Sequence, residues 1–495
     1  MRELLSPDLV GRLRAALVRA DYTVGAIEGL LGEPAHQALH RNETTAALRR
    51  TRGADALSTL TRLWPLQVPV PRGAAEQALP GGIIEALCAA GVLECSGGEV
   101  RARLDIRPYA DDNRDWWVVS DLTPGLDGRR FQMSTDHVLG VSSASTSLAQ
   151  LTIRRQVGSA LDLGTGGGVQ ALHLSEHAER VVATDLNPRC LEMAGLTACL
   201  NEVDLDLRLG DLFEPVADES FDLIVTNPPF VISPGAGERL VYRDSGLPGD
   251  ELVRTVVTSG VEHLRPGGWC EVLANWAHYD GQPWDERVAS WVRGTGCDVW
   301  VVQRDVSDIT QYVELWLQDA GLHGADGYTA AYDAWLQWFE EQQITAVGFG
   351  WLAIRNSGRD HPVVRLEEWP YDVEQPLGAH IAEWGERVEW LPDCSDEALL
   401  GSRLSREPDV VEERIGTPGD ADPARIVVRS QRGMRRARQV TTAVAAFVGA
   451  CDGDLTVGQI GDALATLLDA EASSVREELV TAARSLLEEG FLSRR

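Results

Sequence analysis

The stretch ALDLGTGGGVQALHL, residues 160–174, gives the first clear signal of the fold in the centre of the chain. It begins with an apolar run that predicts a buried strand and ends in a helical pattern. Between them stand Asp162, Gly164, Gly166 and Gly168, and the glycines let the backbone turn sharply without side chains where a bound ligand must lie close. Such a loop alone is compatible with a dinucleotide site or simply with a tight turn.

The apolar runs that follow each end in a polar residue. Asp185 ends RVVATD about 20 residues after the glycine loop, where a carboxylate can accept both hydroxyls of a ribose. Asp211 follows the next run in LRLGDLFEP, and Asn227 ends the next one in FDLIVTNPPF. Because open α/β sheets bind ligands at the carboxyl ends of their strands, we expect these three residues and the glycine loop to form one site.

Residues 126–356 alternate apolar strands with helical patterns, which predicts a doubly wound α/β domain. The seven candidate strands are SALDLG, RVVATD, DLRLGD, FDLIVTN, GWCEVLANW, DVWVVQRDV and TAVGFGWLAIR. The helical segment between the last two carries tryptophans at roughly helical spacing. Two interpretations of these tryptophans stay open, core packing and a wall that faces substrate.

Both flanks differ in pattern from the centre. Residues 1–125 have helical periodicity and end in the alternating stretch EVRARLDIRPY, which predicts a helical or winged-helix-like accessory domain. Residues 357–495 hold a polar stretch, SREPDVVEERIGTPGDADPAR, which predicts a linker or exposed loop, and end in a winged-helix-like module at about 439–495. A basic cluster precedes that module and is either a solvated face or a contact for RNA or an acidic partner. Its members are Arg429, Arg432, Arg435, Arg436 and Arg438.

Composition excludes several classes of protein. The net charge of −30 argues against a protein that wraps duplex nucleic acid, although a local basic patch remains possible. All 45 basic residues are arginine, so mechanisms that need a Schiff-base or phosphate-binding lysine are excluded. The eight cysteines form no C-x-x-C pair and have no clustered histidines, so we expect buried reduced thiols and no metal site. No apolar run approaches the roughly 20 residues that span a bilayer, which predicts a cytoplasmic protein without membrane contact.

With these elements in order, the chain resembles the class I S-adenosylmethionine-dependent methyltransferases. The resemblance implies that Gly164, Thr165, Gly166 and Gly168 line the methionine part of S-adenosylmethionine, with Asp162 near its amino group. It also implies that Asp185 and Leu186 lie at the ribose, that Asp211 faces the adenine amine, and that Leu212 gives a backbone contact. A noncatalytic Rossmann-like scaffold is the alternative, but it would not require Asn227.

The asparagine motif indicates which kind of atom is methylated. Pro228 and Pro229 fix their own backbone dihedrals and bias Asn227 away from helix. The carboxamide oxygen of Asn227 and nearby backbone carbonyls can accept the N–H bonds of a planar amino group, and Phe230 can stack on its flat face. Asn227, Pro228, Pro229 and Phe230 are therefore the predicted catalytic residues, and the motif matches the N-P-P-[F/Y] of methyltransferases that act on planar nitrogens.

Among these enzymes the chain is most similar to the HemK-type protein-glutamine methyltransferases, over GDLFEPVADESFDLIVTNPPFVISPG and DSGLPGDELVRTVV. The wording ATDLNP at 183–188 resembles the branch that modifies release factors in archaea and eukaryotes. A protein glutamine, possibly in a translation release factor, is the expected acceptor. The alternatives are an amino group of an RNA base and a catalytically idle scaffold. The oligomeric state stays open.

Further residues near the motif have two interpretations each. His137 either lines the acceptor pocket or caps a turn. Tyr242 and Arg243 lie in a loop expected to cover the site, where contact with substrate is the minority interpretation. Asp222 stands at the amino end of its strand, which argues against a catalytic role. We nominate no general base, because the amine can lose its proton after methyl transfer.

Overall fold

The computed structural model describes residues 5–111, 113–128, 133–234, 241, 243, 246–418 and 423–494. The chain forms two compact units. The first consists of Met1–Ala149, Arg155–Gly358 and Val364–Trp369, and the second of Gln150–Arg154, Arg359–Val363 and Pro370–Arg495. The N-terminal region and the central sheet thus share one unit. The division into three domains at 125 and 356 stays a prediction.

The N-terminal region is mostly helical and contains a winged-helix-like arrangement. Its helices are α1 (Pro7–Arg19), α2 (Val24–Leu31), α3 (Glu33–His40), α4 (Thr45–Arg50), α5 (Ala56–Leu63), α6 (Arg72–Ala78) and α7 (Ile83–Ala89). Its strands are β1 (Val70–Pro71), β2 (Leu93–Ser96), β3 (Glu99–Ala102), β4 (Asp105–Ala110) and β5 (Asp115–Ser120). From α5 to β3 the elements follow the order helix, strand, two helices and a hairpin, and β1 closes the hairpin into a three-stranded sheet. β4 and β5 form a separate hairpin.

The central sheet has eight strands in the described residues. They are β6 (Val157–Leu163), β7 (Ala178–Asp185), β8 (Asp206–Leu209), β9 (Phe221–Thr226), β10 (Leu264–Tyr279), β11 (Cys297–Asp308), β12 (Ile344–Asn356) and β13 (Val364–Glu368). The helices between them are α8 (Ser143–Leu151), α9 (Val169–Leu174), α10 (Pro188–Asn201), α11 (Glu251–Gly260), α12 (Trp284–Trp291), α13 (Ile309–Asp319) and α14 (Tyr328–Glu341). Short 3₁₀ turns lie at Leu126–Gly128, Glu214–Val216 and Val261–His263.

The predicted doubly wound fold is confirmed, and all seven predicted strands are present. The strand order is β13-β11-β12-β10-β9-β6-β7-β8, with β12 antiparallel to both of its neighbours. β13 is an additional strand that pairs parallel with β11, beginning at Val364 opposite Val299. Its five residues are mostly half-buried and carry three charges, so no clear apolar run marks it in the sequence.

The topology places the carboxyl ends of five strands at one edge. β10, β9, β6, β7 and β8 are parallel, and the chain runs outward from β6 to β8 before it returns to β9 on the other side of β6. The strand order therefore reverses between β6 and β9. Such a switch point opens a crevice at the carboxyl ends of the strands.

The N-terminal region packs against helix α10 of the central sheet. Arg14 on α1 pairs with Glu202 at 2.8 Å and donates from Nε to the carbonyl oxygen of Leu200 at 3.1 Å. The hairpin strand β5 bonds to the same helix, because the Val119 N–H donates to Thr197 Oγ1 at 3.0 Å. Apolar side chains of α1 and α10 belong to one buried cluster. These contacts hold the hairpin beside the sheet.

The second unit carries helices α15 (Gly378–Trp390), α16 (Asp396–Leu400), α17 (Thr442–Ala450), α18 (Val457–Leu467) and α19 (Ala472–Glu488). Its strands are β14 (Arg403–Arg406), β15 (Val410–Ile415), β16 (Arg425–Ser430), β17 (Ala437–Val440), β18 (Asp452–Thr456) and β19 (Leu492–Arg494). The sequence from α17 to β19 is helix, strand, two helices and strand, as predicted for a winged-helix-like module. The stretch predicted as a linker instead contains β15, which pairs with β16 along its whole length.

Candidate active site

A cavity of about 210 Å³ lies at the carboxyl ends of β6, β7, β8 and β9. It brings together eleven of the thirteen residues predicted for the site, and the predicted residues that line it are Asp162, Gly164, Thr165, Gly166, Asp185, Leu186, Asp211, Leu212, Asn227, Pro228 and Pro229. Gly168 and Phe230 are not among its described lining residues. The two exceptions have separate structural causes.

The glycine loop is shaped by backbone angles that favour glycine. Gly164 and Gly166 have φ of 76° and 56°, and a Cβ added at either would meet no atom within 4 Å. Gly168 has φ of 88° and begins α9, but a Cβ there would meet Cα of Ala194 at 3.4 Å. The first two glycines therefore leave space open in the cavity, whereas the Cβ position of the third faces α10 at van der Waals distance.

Asp162 joins the loop to the helix that follows it. Only 1% of the residue is exposed, and its Oδ2 accepts the Thr165 hydroxyl at 2.6 Å and the Ala171 N–H at 3.0 Å. Burial raises the pKa of the Asp162 carboxyl to about 7, although both hydrogen bonds act in the opposite direction. Near neutral pH this carboxyl therefore exchanges between its charged and neutral forms.

Asp185 binds backbone N–H groups on both sides of the strand end. Its Oδ2 accepts from the Gly166 N–H at 2.9 Å, and its Oδ1 accepts from the Asn187 N–H at 2.8 Å. Burial raises the pKa of this carboxyl, and the two backbone bonds oppose that shift. The carboxyl also accepts a hydrogen bond from the Cys190 side chain. The next side chain, Leu186, is 56% exposed and lines the cavity.

Asp211 and Leu212 lie just beyond β8. Asp211 is exposed, and its carbonyl oxygen accepts the Glu214 N–H at 2.9 Å in a tight turn. Leu212 has φ of 44°, a left-handed conformation that costs a non-glycine residue about 1–2 kcal/mol. The turn holds both residues at the cavity.

Asn227 follows β9 at the switch point. The preceding Thr226 donates its hydroxyl to the carbonyl oxygen of Leu163 at 2.8 Å, which joins the ends of β9 and β6. Asn227 Oδ1 is buried and accepts no hydrogen bond within the described part of the chain. Leaving a buried acceptor unpaired costs about 1–3 kcal/mol. A ligand that brings an N–H to this oxygen would recover that free energy.

The segment after Asn227 is held by α13, which the sequence did not indicate. Phe230 packs edge-on against Trp316 with ring centroids 6.5 Å apart, and the Ile232 N–H donates to the Tyr312 hydroxyl at 2.8 Å. Tyr312 and Trp316 are four residues apart and so lie on one face of the helix. Phe230 thus faces α13 and not the cavity. Trp316 fits neither of the two interpretations given for the tryptophans, core packing or a wall that faces substrate. It instead supports the segment that follows Asn227.

Arg243 also contacts α13, which corrects the expectation that it reaches toward substrate. It is 7% exposed and donates to the Trp316 carbonyl oxygen and to Asp319 Oδ2, both at 2.8 Å. Its own carbonyl oxygen accepts the Val231 N–H at 3.1 Å. Tyr242, named with it, lies outside the described residues. Arg243 therefore ties the end of the segment to its beginning.

His137 and Asp222 occupy different parts of the sheet. His137 is 3% exposed, lines the cavity, and its Nδ1 lies 3.7 Å from Asp121 Oδ2. Burial lowers the pKa of its imidazole, which Asp121 partly offsets, so the ring is neutral at pH 7. Asp222 accepts from the Ser159 N–H at 2.8 Å and pairs with Arg265 at 3.0 Å, a structural role at the amino end of β9.

Two of the five arginines in the basic cluster of the second unit are paired with acidic residues. Arg429 pairs with Glu413 at 2.6 Å and Arg438 with Glu489 at 2.7 Å. Arg436 is 8% exposed, so it does not project into solvent. The cluster is therefore a weaker positive surface than its sequence indicates.

Metal-binding clusters and membrane-spanning helices are absent from the described ranges. These ranges contain no group of three or more His, Cys, Asp or Glu side chains that could hold a metal ion. They also contain no helix with the length and apolarity needed to cross a bilayer. The cysteines are not all buried, since Cys199 is exposed, and the Sγ atoms of Cys88 and Cys95 are 2.7 Å apart.

A parallel sheet with this switch point, a glycine loop after its first strand and acidic residues after the next two defines a class I methyltransferase domain. Residues 140–279 match the methyltransferase small domain family. Residues 19–103 and 382–494 match two domains of unknown function, DUF7059 and DUF7782. The central segment is therefore a class I methyltransferase domain that is similar to the HemK type, and the resemblance found in the sequence is confirmed.

Relatives of two substrate types match this segment. The chain is 35% identical over 124 residues to a release factor glutamine methyltransferase of Geobacter sulfurreducens, covering 23% of this chain and 43% of that protein. It is 35% identical over 127 residues to a ribosomal protein uL3 glutamine methyltransferase of Bradyrhizobium diazoefficiens, covering 23% and 40%. It is 26% identical over 179 residues to a ribosomal RNA small subunit methyltransferase C of Salmonella arizonae, covering 36% and 46%. The chain thus spans at most half the length of the curated relatives it matches.

Proposed function

We propose that this protein is an S-adenosylmethionine-dependent N-methyltransferase whose acceptor is a planar nitrogen, the side-chain amide of a glutamine in a protein. The observation that carries the proposal is the position of Asn227. Its buried, unpaired oxygen stands at the switch point, in the same cavity as the glycine loop, Asp185 and Asp211. An acceptor oxygen held between a sheet and two prolines suits a ligand that donates N–H bonds.

The residues around the cavity fit S-adenosylmethionine. The open space at Gly164 and Gly166 would receive the methionine part, the Asp185 carboxylate would accept the ribose hydroxyls, and Asp211 would accept from the adenine amine. Two further buried oxygens that have no partner in the described residues, Thr184 Oγ1 and Gln170 Oε1, belong to side chains that line this cavity. When bound, S-adenosylmethionine supplies a methyl group activated by its sulfonium.

The chain's own residues position the acceptor. Asn227 Oδ1 and the Pro228 carbonyl oxygen accept the two N–H bonds of the amide, which orients its nitrogen toward the cavity. Pro228 and Pro229 keep this geometry fixed, so little orientational freedom remains to be lost at the moment of transfer. The nitrogen releases its proton after the new N–C bond has formed, so none of the titratable residues is required as a base.

A protein acceptor is supported by the glutamine methyltransferases among the relatives and by the net charge of −30. A translation release factor is one candidate substrate. An amino group of an RNA base is the second candidate, because the match to the ribosomal RNA methyltransferase covers more of the chain, 36% against 23%. The pairing of the arginine cluster with acidic residues weakens that candidate. A cytoplasmic location also stays a prediction.

A labelling experiment separates these candidates. Purified protein is incubated with S-adenosyl-[methyl-³H]methionine and an extract of cells that lack the gene. Label that survives nuclease but not protease supports a protein acceptor, and the reverse pattern supports RNA. No label in either fraction would contradict the proposed activity and favour an idle scaffold.

A further inference from the structure

The first unit contains a second, larger cavity of about 740 Å³, within the range of small-molecule and peptide-side-chain sites. Its walls come from α2 and α3 of the N-terminal region, from the β4–β5 hairpin and from residues 137–146. We call it the N-terminal cavity. Four residues line both it and the cavity at the strand ends: His137, Leu139, Gly140 and Ser142. One stretch of backbone therefore forms a wall common to both cavities.

Two buried polar groups in this cavity lack partners. Asp105 is 1% exposed, and while its Oδ2 pairs with the Arg107 guanidinium at 2.8 Å, its Oδ1 has no hydrogen-bond partner in the described residues. The Nε of Arg107 is likewise buried without an acceptor there, although its guanidinium also donates to Thr123 Oγ1 at 3.2 Å. Both residues line the cavity and stand two positions apart on β4, on one face of the hairpin.

The two orphaned atoms are an acceptor and a donor, on two side chains that are joined through Asp105 Oδ2. A ligand that satisfies both must offer a hydrogen-bond donor and an acceptor, and an amide supplies the two as its N–H and its C=O. Burial raises the pKa of Asp105, and the adjacent Arg107 opposes that shift. An unpaired buried polar group costs free energy, and a ligand that pairs with it recovers that cost on binding.

The charges around the cavity argue against a nucleic acid. Glu28, Asp105 and Asp121 line it, whereas Arg107 is its single arginine among the described lining residues. Phosphate groups need a basic surface, and this one is acidic on balance. A neutral or basic peptide has no such conflict.

We propose that the N-terminal cavity binds the segment of the protein substrate next to the methylated glutamine, with an amide of that segment donating to Asp105 and accepting from Arg107. This inference rests on the proposed function, since it assigns the acceptor's own binding site. Because the two cavities have a common wall, that segment would lie beside the cavity at the strand ends, which Asn227 lines. The N-terminal region is then the part of the chain that selects the substrate.

Three variants test the site in the methylation assay. Asp105→Asn removes the charge with little change in shape, and Arg107→Gln removes the Nε donor. His40→Trp changes an exposed side chain that lines the cavity to one that obstructs it. Gln37→Trp, on the same helix and outside the cavity lining, is the matched control. We expect at least a tenfold loss of protein labelling at limiting extract for the three variants, a wild-type rate for the control, and unchanged S-adenosylmethionine affinity throughout.

Labelling by the three variants at the wild-type rate would overturn the inference and leave the proposed function intact. Label found on RNA and lost in these variants would overturn the peptide assignment. If wild type labels nothing, the proposed function fails, and a binding measurement decides the inference. N-acetylglutamine methylamide is titrated into protein with ¹³C-labelled isoleucine methyls. Ile27 lines the cavity, whereas Ile224 lies in the core of the sheet. A change in the methyl chemical shift of Ile27 without a change at Ile224 supports binding in the N-terminal cavity, and an unchanged Ile27 signal contradicts it.

Discussion

Replacing Asp185 with asparagine changes both the stability of the loop and the proposed ribose contact. The carboxylate accepts two backbone N–H groups, Gly166 on Oδ2 and Asn187 on Oδ1. Asparagine has one oxygen, so in either orientation of the amide one of these N–H groups faces an NH₂ group. Orphaning a buried backbone donor costs about 1–3 kcal/mol, and the free energy of unfolding should fall by that amount.

The same substitution removes the negative charge that would accept the ribose hydroxyls. Hydrogen bonds to a charged group contribute about 1.5–3 kcal/mol, so S-adenosylmethionine affinity should fall about ten- to hundredfold. Isothermal titration calorimetry measures the affinity, and denaturant unfolding measures the stability. Asp206→Asn is the control, since Asp206 forms exposed ion pairs with Arg180 and Arg208 and such pairs contribute about 0–1 kcal/mol. Affinity that stays within twofold of wild type in Asp185→Asn would refute the assigned role of this carboxylate.

Three other substitutions have expected outcomes. Gly166→Ala and Gly281→Ala both place a side chain at positive φ, 56° and 71°, and each should lower the free energy of unfolding by about 1–2 kcal/mol. Only Gly166→Ala should also weaken S-adenosylmethionine binding, as measured by calorimetry. Asp162→Asn keeps the oxygen that accepts both hydrogen bonds. Burial raises the folded pKa of Asp162 from 3.8 to about 7, so wild type loses stability as the pH rises from about 4 to about 7. The variant has no such titration. Its unfolding free energy relative to that of wild type should therefore increase between about pH 4 and 7 and stay constant above pH 7. Arg243→Met should reduce methyl transfer and leave cofactor affinity unchanged, because the bonds of Arg243 to α13 position the acceptor segment. An equal loss of transfer in Asp319→Ala would support a role for the Arg243–Asp319 ion pair. Transfer at the wild-type rate in both variants would contradict that role.

The sheet and most of the site could be predicted because their signals are local. The glycine loop, Asp185, Asp211 and Asn227 each stand at the end of an apolar strand run, and parallel pairing brings such ends to one edge. Gly168 shows the limit of this reasoning. Its neighbours in sequence indicate a ligand contact, but its Cβ position faces Ala194 on α10, a contact that only the tertiary packing determines.

The support of the acceptor segment could not be predicted, because it depends on contacts distant in sequence. Phe230 and Trp316 are brought together by the packing of α13, and no spacing within either motif indicates it. The eighth strand, β13, could not be predicted either, because it is short and charged and has no apolar run. Asp105 and Arg107 lay in a stretch whose alternation predicted a strand, but their orphaned atoms are visible only once the N-terminal region closes a cavity around them.

Asn227→Ala separates acceptor positioning from cofactor binding in a single variant. The substitution removes the buried oxygen that would accept the amide N–H and leaves the glycine loop, Asp185 and Asp211 in place. S-adenosylmethionine affinity, measured by calorimetry, should stay close to that of wild type. Transfer of labelled methyl to the protein fraction of the extract should fall about 10²–10³-fold, the usual loss when an oriented hydrogen-bonding group of an active site is removed. Retained transfer, or loss of cofactor binding instead, would contradict the role proposed for Asn227.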